Sequence, residues 1–409
     1  MAGPLEGIRI LDCTWALAGP FGTMILSDLG AETIKVEMTG TGDRSRGMEP
    51  KINGTSTYSF SLNRGKKSIA LDLRAEKGKG IFLELVKAAD VVAENFTPGT
   101  MDKLGVGYQT LSHRNPRLVY ACCSGFGRTG PYAESKKPAL DMVVQGMGGI
   151  MSITGPKGGP PCRVGASVGD ITAGMFFAIG ILAGLAERQK SGRGQLIDIS
   201  MLDCQAALLE NAFVRHFATG EVPQMLGASH PVTEPHGAYR TKDGYLVLCA
   251  TGSVEQWALF LEKIGRLDLL SDERFLDRGT RYLYRDELAP HIEKALGTRT
   301  TQEWIEEFES VGIPCGPLNS IADAARDPQL LSRNMFIDLP CPGTTSGTMR
   351  VSNTPVRLSR TPVVVEKPAP HLGEHTREIL KTVLGMREQE ILDLEKNRVI
   401  GVPGGSQDA

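Results

Sequence analysis

The sequence has no excess of one charge, few aromatic residues and no long hydrophobic run. Its 409 residues include 45 basic and 47 acidic side chains, a net charge of −2, and only 6% are aromatic. A chain so close to neutral has no overall attraction to nucleic acid or to an anionic membrane. The longest apolar run, residues 175–185, is shorter than the roughly 20 residues that a membrane-spanning helix needs. We therefore expect no nucleic acid and no membrane among its partners.

The sequence also lacks any CxxC motif and any histidine spaced for metal binding. Its eight cysteines are scattered along the chain, which favours reduced, mostly buried thiols over a disulfide framework or a zinc site. The first residues contain no basic segment followed by an apolar one, so we expect no signal peptide. These absences predict a cytoplasmic protein without a bound metal.

What the sequence does contain is an alternation of short β-rich segments with amphipathic helical ones. The first 40 residues predict a strand over 8–13, a break at Ala18-Gly19-Pro20, a helix over 21–29 and a second strand over 34–37. Further strands are predicted at 66–74, 90–94, 118–123 and 196–200, and helices at 77–89, 170–188 and 201–219. The alternation predicts an α/β fold with an open sheet.

The composition changes after Gly220. Residues 221–235 mix proline, glycine, serine and histidine, which is typical of a linker or a lid. A hairpin is predicted over 237–250, because Asp243-Gly244 is a strong turn signal. Helices are predicted at 255–270, 282–296 and 301–311, and then, beyond 312–317, at 321–330, 376–384 and 388–396, with an extended segment at 349–358. A second, smaller domain is therefore expected in the middle of the chain.

Two of the predicted strands end in polar loops that contain glycine, at 95–99 and at 124–130. An open α/β sheet binds its ligand at the carboxyl ends of its strands. Phe96 in the first loop can stack on a base, and Arg74, Lys103 and Lys137 can pair with phosphates. Each basic residue alone is typical of a solvated surface, so it is their joint placement that indicates an anionic, nucleotide-like ligand.

Asp170 lies between small residues and the apolar run at 175–185. We predict that it is the N-cap of that helix, where free N–H groups and the helix dipole would hold its carboxylate ionised. Apart from Arg163, the preceding segment 158–169 has little side-chain bulk, and its glycines allow a ligand to come close. Asp170 is thus either a capping residue only or a nucleophile that attacks an acyl group.

Several motifs, in the order in which they occur, resemble those of the class III CoA-transferases of the formyl-CoA:oxalate or carnitine type. They extend from about residue 4 to about residue 385, so the resemblance covers nearly the whole chain. The matching segments are 4–12, 18–20, 29–37, 63–72, 89–99, 124–131, 165–170, 192–195, 312–317 and 371–376.

The resemblance implies an α/β fold with a Rossmann-like large domain and a smaller α+β domain. The large domain is built from residues 1–220 and 321–409, and the small domain from 221–320. The resemblance also implies that two chains form an interlocked dimer, the second being either another copy or a paralogous subunit. Acyl-CoA and a carboxylic acid are the implied substrates, with no permanently bound cofactor.

The resemblance also implies roles for individual residues. Asp170 matches the catalytic aspartate, which attacks an acyl-CoA thioester and carries anhydride and aspartyl-CoA intermediates. The implied CoA-binding residues are Ala16, Leu17, Ala18, Leu71, Asp72, Leu73, Arg74, Asn95, Phe96, Thr97, Lys103 and Lys137.

The chain departs from the oxalate enzymes at three places. Leu17 replaces a glutamine and Met38 an arginine of formyl-CoA transferase, and the glycine-rich loop of the oxalate enzymes is missing between 221 and 260. These departures argue against oxalate and formyl-CoA. The chain looks more like members that transfer CoA from succinyl-CoA to a dicarboxylate such as glutarate or a substituted succinate. Candidates to hold a second carboxylate, each also typical of an ordinary polar residue, are Arg44, Arg46, Arg163 and His236.

Two alternatives remain within this resemblance. The α-methylacyl-CoA racemases share the fold and place a His-Asp pair where this chain has Leu140-Asp141. A racemase needs a base on each side of the α-carbon, so the missing histidine argues against that reaction. The second alternative is that the chain is one subunit of a hetero-oligomeric transferase. Asp170 would then mark it as the active subunit.

Overall fold

The computed structural model describes residues 3–403, and the described chain divides into two compact units. The first unit comprises residues 3–150, 163–221 and 332–403, and the second comprises 151–162 and 222–331. The second unit therefore takes in two segments, 151–162 and 321–331, that the sequence analysis assigned to the large domain. The outermost residues of the predicted segments 1–220 and 321–409 lie outside the described residues.

The strands are short, as expected for an α/β protein. They are β1 Arg9–Asp12, β2 Glu32–Glu37, β3 Lys51–Ile52, β4 Thr55–Ser56, β5 Lys67–Leu71, β6 Val91–Glu94, β7 Val119–Ser124, β8 Leu196–Ser200, β9 His236–Arg240, β10 Tyr245–Cys249, β11 Cys315–Pro317, β12 Phe336–Pro340, β13 Thr348–Ser352 and β14 Ile400–Gly401.

The helices vary from single turns to one of 24 residues. The α-helices are α1 Ala18–Asp28, α2 Thr57–Leu62, α3 Glu76–Lys87, α4 Thr100–Lys103, α5 Tyr108–Arg114, α6 Pro131–Glu134, α7 Asp141–Met147, α8 Ile150–Ile153, α9 Val168–Ser191, α10 Met201–Leu208, α11 Glu210–Thr219, α12 Val254–Lys263, α13 Glu273–Leu276, α14 Arg278–Arg281, α15 Arg285–Leu296, α16 Thr301–Glu309, α17 Ile321–Ala324, α18 Pro328–Ser332, α19 Thr376–Thr382 and α20 Glu388–Lys396, with 3₁₀ turns at Arg44–Gly47, Leu267–Ser271 and Tyr282–Tyr284.

The first unit is built on a sheet whose described strands run in the order β14-β5-β2-β1-β6-β7-β8. The pairs from β5 to β8 are parallel, and β14 is antiparallel to β5. The strand order reverses between β1 and β6, which is where an open α/β sheet forms a crevice for a ligand. The prediction of an α/β fold is confirmed.

Both faces of this sheet are covered. Neighbouring residues of a strand point to opposite faces, so Leu11 packs with Phe82 of α3 on one side and Ile10 packs with Phe177 of α9 on the other. Helices α1 and α9 cross at glycines: a Cβ on Gly174 would lie 2.6 Å from the carbonyl oxygen of Ala18. This backbone contact fixes the start of α1 against the first turns of α9.

Helix α9 is long and apolar enough to cross a membrane by length and composition alone, with a mean hydropathy of 1.8 over its most apolar 18 residues. Half of that window is buried inside the protein, and Phe177 and Ile181 belong to the core. Partial burial of a long apolar helix against a sheet is the pattern of a core helix in a soluble protein.

The second unit has its own core. Its described strands form an antiparallel sheet in the order β11-β10-β9, and the predicted hairpin is confirmed by the pairing of Arg240 with Tyr245. Helices α12, α15 and α16 contribute Trp257, Ile292 and Trp304 to a core that also contains Phe275.

The structure corrects several predicted elements. The helix predicted over 201–219 is two helices, α10 and α11, that meet at Leu209. The helix predicted over 321–330 is two short ones, α17 and α18, because Pro328 cannot donate the hydrogen bond that would continue the first. Strand β14 was not predicted, since it is two residues long and pairs with β5 more than 300 residues earlier in the chain.

Candidate active site

A cavity of about 340 Å³ lies at the carboxyl ends of β1, β6 and β7. Its wall is formed mainly by the loops that follow these strands. The lining residues include 15–18, 95–98, 123–127, 132–133 and 136–140, together with Arg44, Asp170 and Met201. Larger depressions of about 790 and 840 Å³ contain none of the predicted site residues, so volume alone does not identify the site.

The loop after β1 is held in one conformation by side chains from two other segments. Asn95 accepts a hydrogen bond from the Trp15 N–H at 2.8 Å and donates one to the Trp15 carbonyl at 2.9 Å. The Asp43 carboxylate accepts from the Ala16 N–H at 3.0 Å. Ala16 has a φ of 62°, which is unusual for a residue with a side chain and indicates backbone strain that its surroundings must stabilise.

A network of buried charges lies beneath this loop. The Lys35 ammonium contacts Asp43 at 2.8 Å and the Thr14 carbonyl at 2.7 Å, and the Lys66 ammonium contacts Asp12 at 2.9 Å. Burial alone would raise the pKa of Asp12, but the ammonium groups of Lys66 and Lys35 outweigh it and lower that pKa to about 2. Asp12 is thus ionised at every physiological pH.

Aromatic rings and cations lie together on the cavity wall. The rings of Trp15 and Phe96 are 5.5 Å apart between centroids, and the Arg44 guanidinium lies 3.9 Å from the centroid of Trp15. The Lys137 ammonium lies 4.7 Å from the centroid of Tyr132. Neither Arg44 nor Lys137 forms an ion pair with a carboxylate of residues 3–403, so both are available to an anionic ligand. Trp15 was missed by the sequence analysis, although it directly precedes the predicted Ala16.

Asp170 lies on the wall of the same cavity, but it is not the N-cap of its helix. Helix α9 begins at Val168, its N-cap is Ser167, and Asp170 is the third residue of the first turn. The expectation that its carboxylate is held ionised by capping is also wrong. Burial, and then the negative charge of Asp141, raise the pKa of Asp170 to about 7.

The structure brings together some of the predicted CoA-binding residues but not all. Ala16, Leu17, Ala18, Asn95, Phe96, Thr97 and Lys137 line the cavity with Asp170. The other five predicted residues do not line the cavity. Leu71 is buried at the end of β5, and Lys103 is the last residue of α4. The turn before α3 contains Asp72, Leu73 and Arg74. Their part in CoA binding stays a prediction.

The four candidates for a second carboxylate differ in their surroundings. Arg44 lies on the cavity wall. Arg46 is already engaged, because its guanidinium makes two hydrogen bonds of 2.7 Å to the Glu37 carboxylate. Its proposed role is therefore withdrawn.

The other two candidates lie outside the cavity lining. The Arg163 guanidinium donates to the carbonyl oxygens of Val164 and Gly165. His236 begins β9 in the second unit, where its ring stacks on that of His230 at 4.5 Å. Leu140, which stands where a racemase has its histidine, is exposed and contributes only hydrocarbon to the cavity.

The chain matches known proteins over most of its length. The model of CoA-transferase family III matches residues 5–376. The chain is 42% identical to acetyl-CoA:oxalate CoA-transferase of Acetobacter aceti, over 91% of this chain and 94% of that protein. It is 38% identical to succinyl-CoA:glutarate CoA-transferase of Mus musculus, over 97% and 90%. The crystal structure of a CAIB/BAIF family protein from Brucella suis superposes with a TM-score of 0.83 at 34% identity, covering 94% of this chain and all of that one.

Proposed function

The chain belongs to CoA-transferase family III, and from that premise we propose that it moves CoA from an acyl-CoA donor to a carboxylic acid, with Asp170 as the nucleophile. The observation that carries this proposal is the state of the Asp170 carboxylate. It lies on the cavity wall and receives no hydrogen bond or ion pair from the described residues. A carboxylate without a structural partner, beside a cavity with aromatic and cationic walls, is available for covalent catalysis.

The proposed reaction proceeds through intermediates on Asp170. A carboxylate oxygen attacks the thioester carbonyl carbon, the C–S bond breaks, and CoA leaves as a thiolate with the acyl group held in a mixed anhydride. The thiolate then attacks the Asp170 carbonyl carbon, which gives an aspartyl-CoA thioester and releases the donor acid. The acceptor carboxylate then attacks the carbonyl carbon of the aspartyl-CoA thioester and displaces the CoA thiolate, which gives a second mixed anhydride. The thiolate attacks the acceptor's carbonyl carbon in that anhydride, which forms the acceptor acyl-CoA and restores the Asp170 carboxylate. No proton or electron is consumed in the exchange.

The cavity wall supports a CoA orientation in which the nucleotide lies near Phe96. We propose that its adenine contacts the pair Phe96 and Trp15, and that Lys137 and Arg44 supply positive charge to the anionic groups of the substrates. The roles implied for Arg74 and Lys103 are retained as part of this proposal. Since Asn95 holds Trp15 by two hydrogen bonds, the aromatic pair is preorganised.

Replacing Phe96 with alanine is expected to weaken CoA binding about tenfold, because loss of an aromatic contact costs roughly 1 kcal/mol beyond its buried area. Isothermal titration with free CoA measures the change. Tyr245→Ala is a matched control, since Tyr245 is half-exposed on β10 and outside the cavity. Equal affinity for CoA in Phe96→Ala and in the unmodified protein would contradict the proposed orientation.

We propose that a second chain, either another copy or a paralogous subunit, covers part of the first unit in an interlocked dimer. Helices α9 and α11 expose large apolar side chains, including Ile179 at 57% and Phe217 at 76%. On α9 the exposed Met175, Phe176 and Ile179 share one face of the helix, and an apolar face of this kind is typical of a protein interface. Sedimentation of the purified chain distinguishes a dimer from a monomer, and a monomer would point to a missing paralogous subunit.

The proposed donor is succinyl-CoA, and the proposed acceptor is a dicarboxylate such as glutarate or a substituted succinate. The relatives described above are named for oxalate and glutarate, both of which carry two carboxylates. We propose that the unpaired Arg44 binds the carboxylate that does not react. The oxalate enzyme among the relatives makes oxalate a necessary test compound, although Leu17 and Met38 depart from the formyl-CoA transferase pattern.

We expect transfer of CoA from succinyl-CoA to at least one dicarboxylate in a panel of oxalate, glutarate and substituted succinates, and much weaker transfer to monocarboxylates of equal length. Chromatographic separation of the acyl-CoA products measures this. Arg44→Met should reduce the preference for dicarboxylates about tenfold or more, since a charge-assisted contact is lost. No transfer to any acid, together with uptake of solvent deuterium at the α-carbon of a 2-methylacyl-CoA, would instead establish racemisation.

A further inference from the structure

The backbone N–H groups at the start of α9 are bonded by Asp141, a residue of a different helix. One oxygen of its carboxylate accepts from the Gly169 N–H at 2.8 Å and from the Asp170 N–H at 3.3 Å. The first N–H groups of a helix have no partner within the helix, and a side-chain oxygen is the usual substitute. Asp141 therefore performs the capping that the sequence predicted for Asp170.

The second oxygen of Asp141 connects this cap to the segment that leads into it. It accepts a hydrogen bond of 2.7 Å from the amide of Gln145, one turn further along α7, and the oxygen of that amide accepts from the Val164 N–H at 2.9 Å. Gln145 is fully buried. Helix α7 thus holds both ends of residues 164–170, with Asp170 at the last position.

We propose that Asp141 is a positioning residue that fixes the backbone of Asp170 and places a negative charge close to its carboxylate. This inference rests on the proposed function, since it assigns Asp141 a part in the reactivity of the proposed nucleophile. A carboxylate that had to cap its own helix would point along the helix axis and would accept hydrogen bonds that weaken it as a nucleophile. With Asp141 in that place, the Asp170 side chain is free to face the cavity.

Asp141 is the charged neighbour that affects the pKa of the Asp170 carboxylate. After burial, Asp141 is the group that raises the pKa of Asp170 to about 7. The other titratable or charged groups on the packed elements and the cavity wall are Tyr58 of α2, Cys123 of β7, the exposed Asp203 and buried Cys204 of α10, Asp198 of β8, Asp28 of α1 in its pair with Arg64, and Arg44, Lys136 and Lys137.

The sign of the expected pH dependence follows from this arrangement. Attack requires the ionised carboxylate, so activity should rise with pH through the pKa of Asp170. Removal of the Asp141 charge lowers that pKa, because a like charge no longer opposes ionisation. Burial still acts on Asp170, so its pKa should stay above the ordinary value of 3.8.

The test is the pH profile of kcat/KM in Asp141→Asn, which keeps an oxygen for the Gly169 and Asp170 N–H groups but carries no charge. We expect the acid limb to move to lower pH while CoA transfer is retained at a reduced kcat, because the amide nitrogen of asparagine cannot accept the hydrogen bond of Gln145. A fall of about one pH unit, an ordinary size for such a perturbation, would raise the rate at pH 6, relative to the plateau, about fivefold. Asp203→Asn removes an exposed charge from the first turn of α10 and should leave the limb in place. If Asp141→Asn does not fold, Asp141→Ser retains a capping oxygen without the charge.

An acid limb that coincides in Asp141→Asn and the unmodified enzyme would overturn the inference. A second variant, Gln145→Leu, keeps the Asp141 charge and removes the bridge to Val164. It should lower kcat at every pH without moving the limb, and an unchanged kcat would contradict the positioning role. These failures differ from failure of the proposed function, in which the unmodified protein would transfer no CoA at all.

Discussion

Replacing Asp170 with asparagine should lower the rate of CoA transfer about a thousandfold or more, because loss of a covalent nucleophile removes the pathway itself. Asparagine keeps the size of the side chain but cannot form the anhydride. The affinity for CoA should change only a few-fold, since the aromatic and cationic wall stays intact. Steady-state assays and titration with CoA measure the two quantities separately. Asp170→Ala should give the same loss, which excludes slow deamidation of asparagine as the source of residual activity.

The same variants test the intermediate directly. Mass spectrometry after incubation with succinyl-CoA and quenching should find an added mass equal to CoA or to the acyl group on the peptide that contains Asp170. Asp203→Asn, with the same change at a carboxylate outside the cavity wall, should retain the adduct. An adduct of equal amount in Asp170→Asn would show that another residue carries the acyl group.

The sequence could predict the position of the cavity but not how its walls are held. Alternation of strands and helices places the loops after β6 and β7 at one edge of a sheet, so Phe96 was expected to lie near a ligand, whereas Ala16 and Asn95 were implied only by the resemblance to class III CoA-transferases. Local patterns carry that information because strand direction and order follow from short connections. The side chains that fix the cavity loops are distant in sequence, such as Asp43, which bonds the Ala16 N–H.

The error at Asp170 has the same origin. A carboxylate near the start of an apolar helix fits the N-cap pattern, and the sequence offers no sign that Asp141, 29 residues earlier, takes those N–H groups. Asp141 did appear in the sequence analysis, but only as the partner of a missing histidine. Likewise, nothing local distinguishes Arg44, which faces the cavity, from Arg46, which binds Glu37. In both cases the competing partner is contributed by a distant segment.

Fully buried ion pairs lie beneath the cavity, although removing charges from water costs free energy. Asp12 and Lys66 are fully buried, and so is Lys35 beside Asp43. Buried ion pairs contribute little net stability compared with apolar residues of the same size, but breaking one leaves an isolated charge. Here both pairs contact the loop of Thr14–Ala18, which places them where they stabilise the strained conformation at Ala16. These ion pairs therefore stabilise the conformation of the Thr14–Ala18 loop more than they increase the free energy of unfolding of the whole protein.

Asp12→Ala should consequently lower the free energy of unfolding by about 3–5 kcal/mol, the usual cost of leaving a buried charge without its partner. The variant removes the acceptor for Thr14, Thr23 and Lys66, so the KM for acyl-CoA should also rise as the loop loosens. Urea unfolding measures the first effect. Asp338→Ala, which breaks an exposed pair with Arg350, should have a much smaller effect.

The pH dependence of this difference provides an independent check on Asp12. Its pKa is lowered from 3.8 to about 2 in the folded protein, so its contribution is fully present above the unfolded value and is lost as the pH falls through the folded one. The gap in stability between the unmodified protein and Asp12→Ala should therefore be constant from neutral pH down to about 4 and should narrow between about 4 and 2. A gap that instead persisted unchanged to the lowest pH would mean that the lost packing of Asp12, and not its charge, stabilises the loop that carries Trp15 and Ala16 to the cavity.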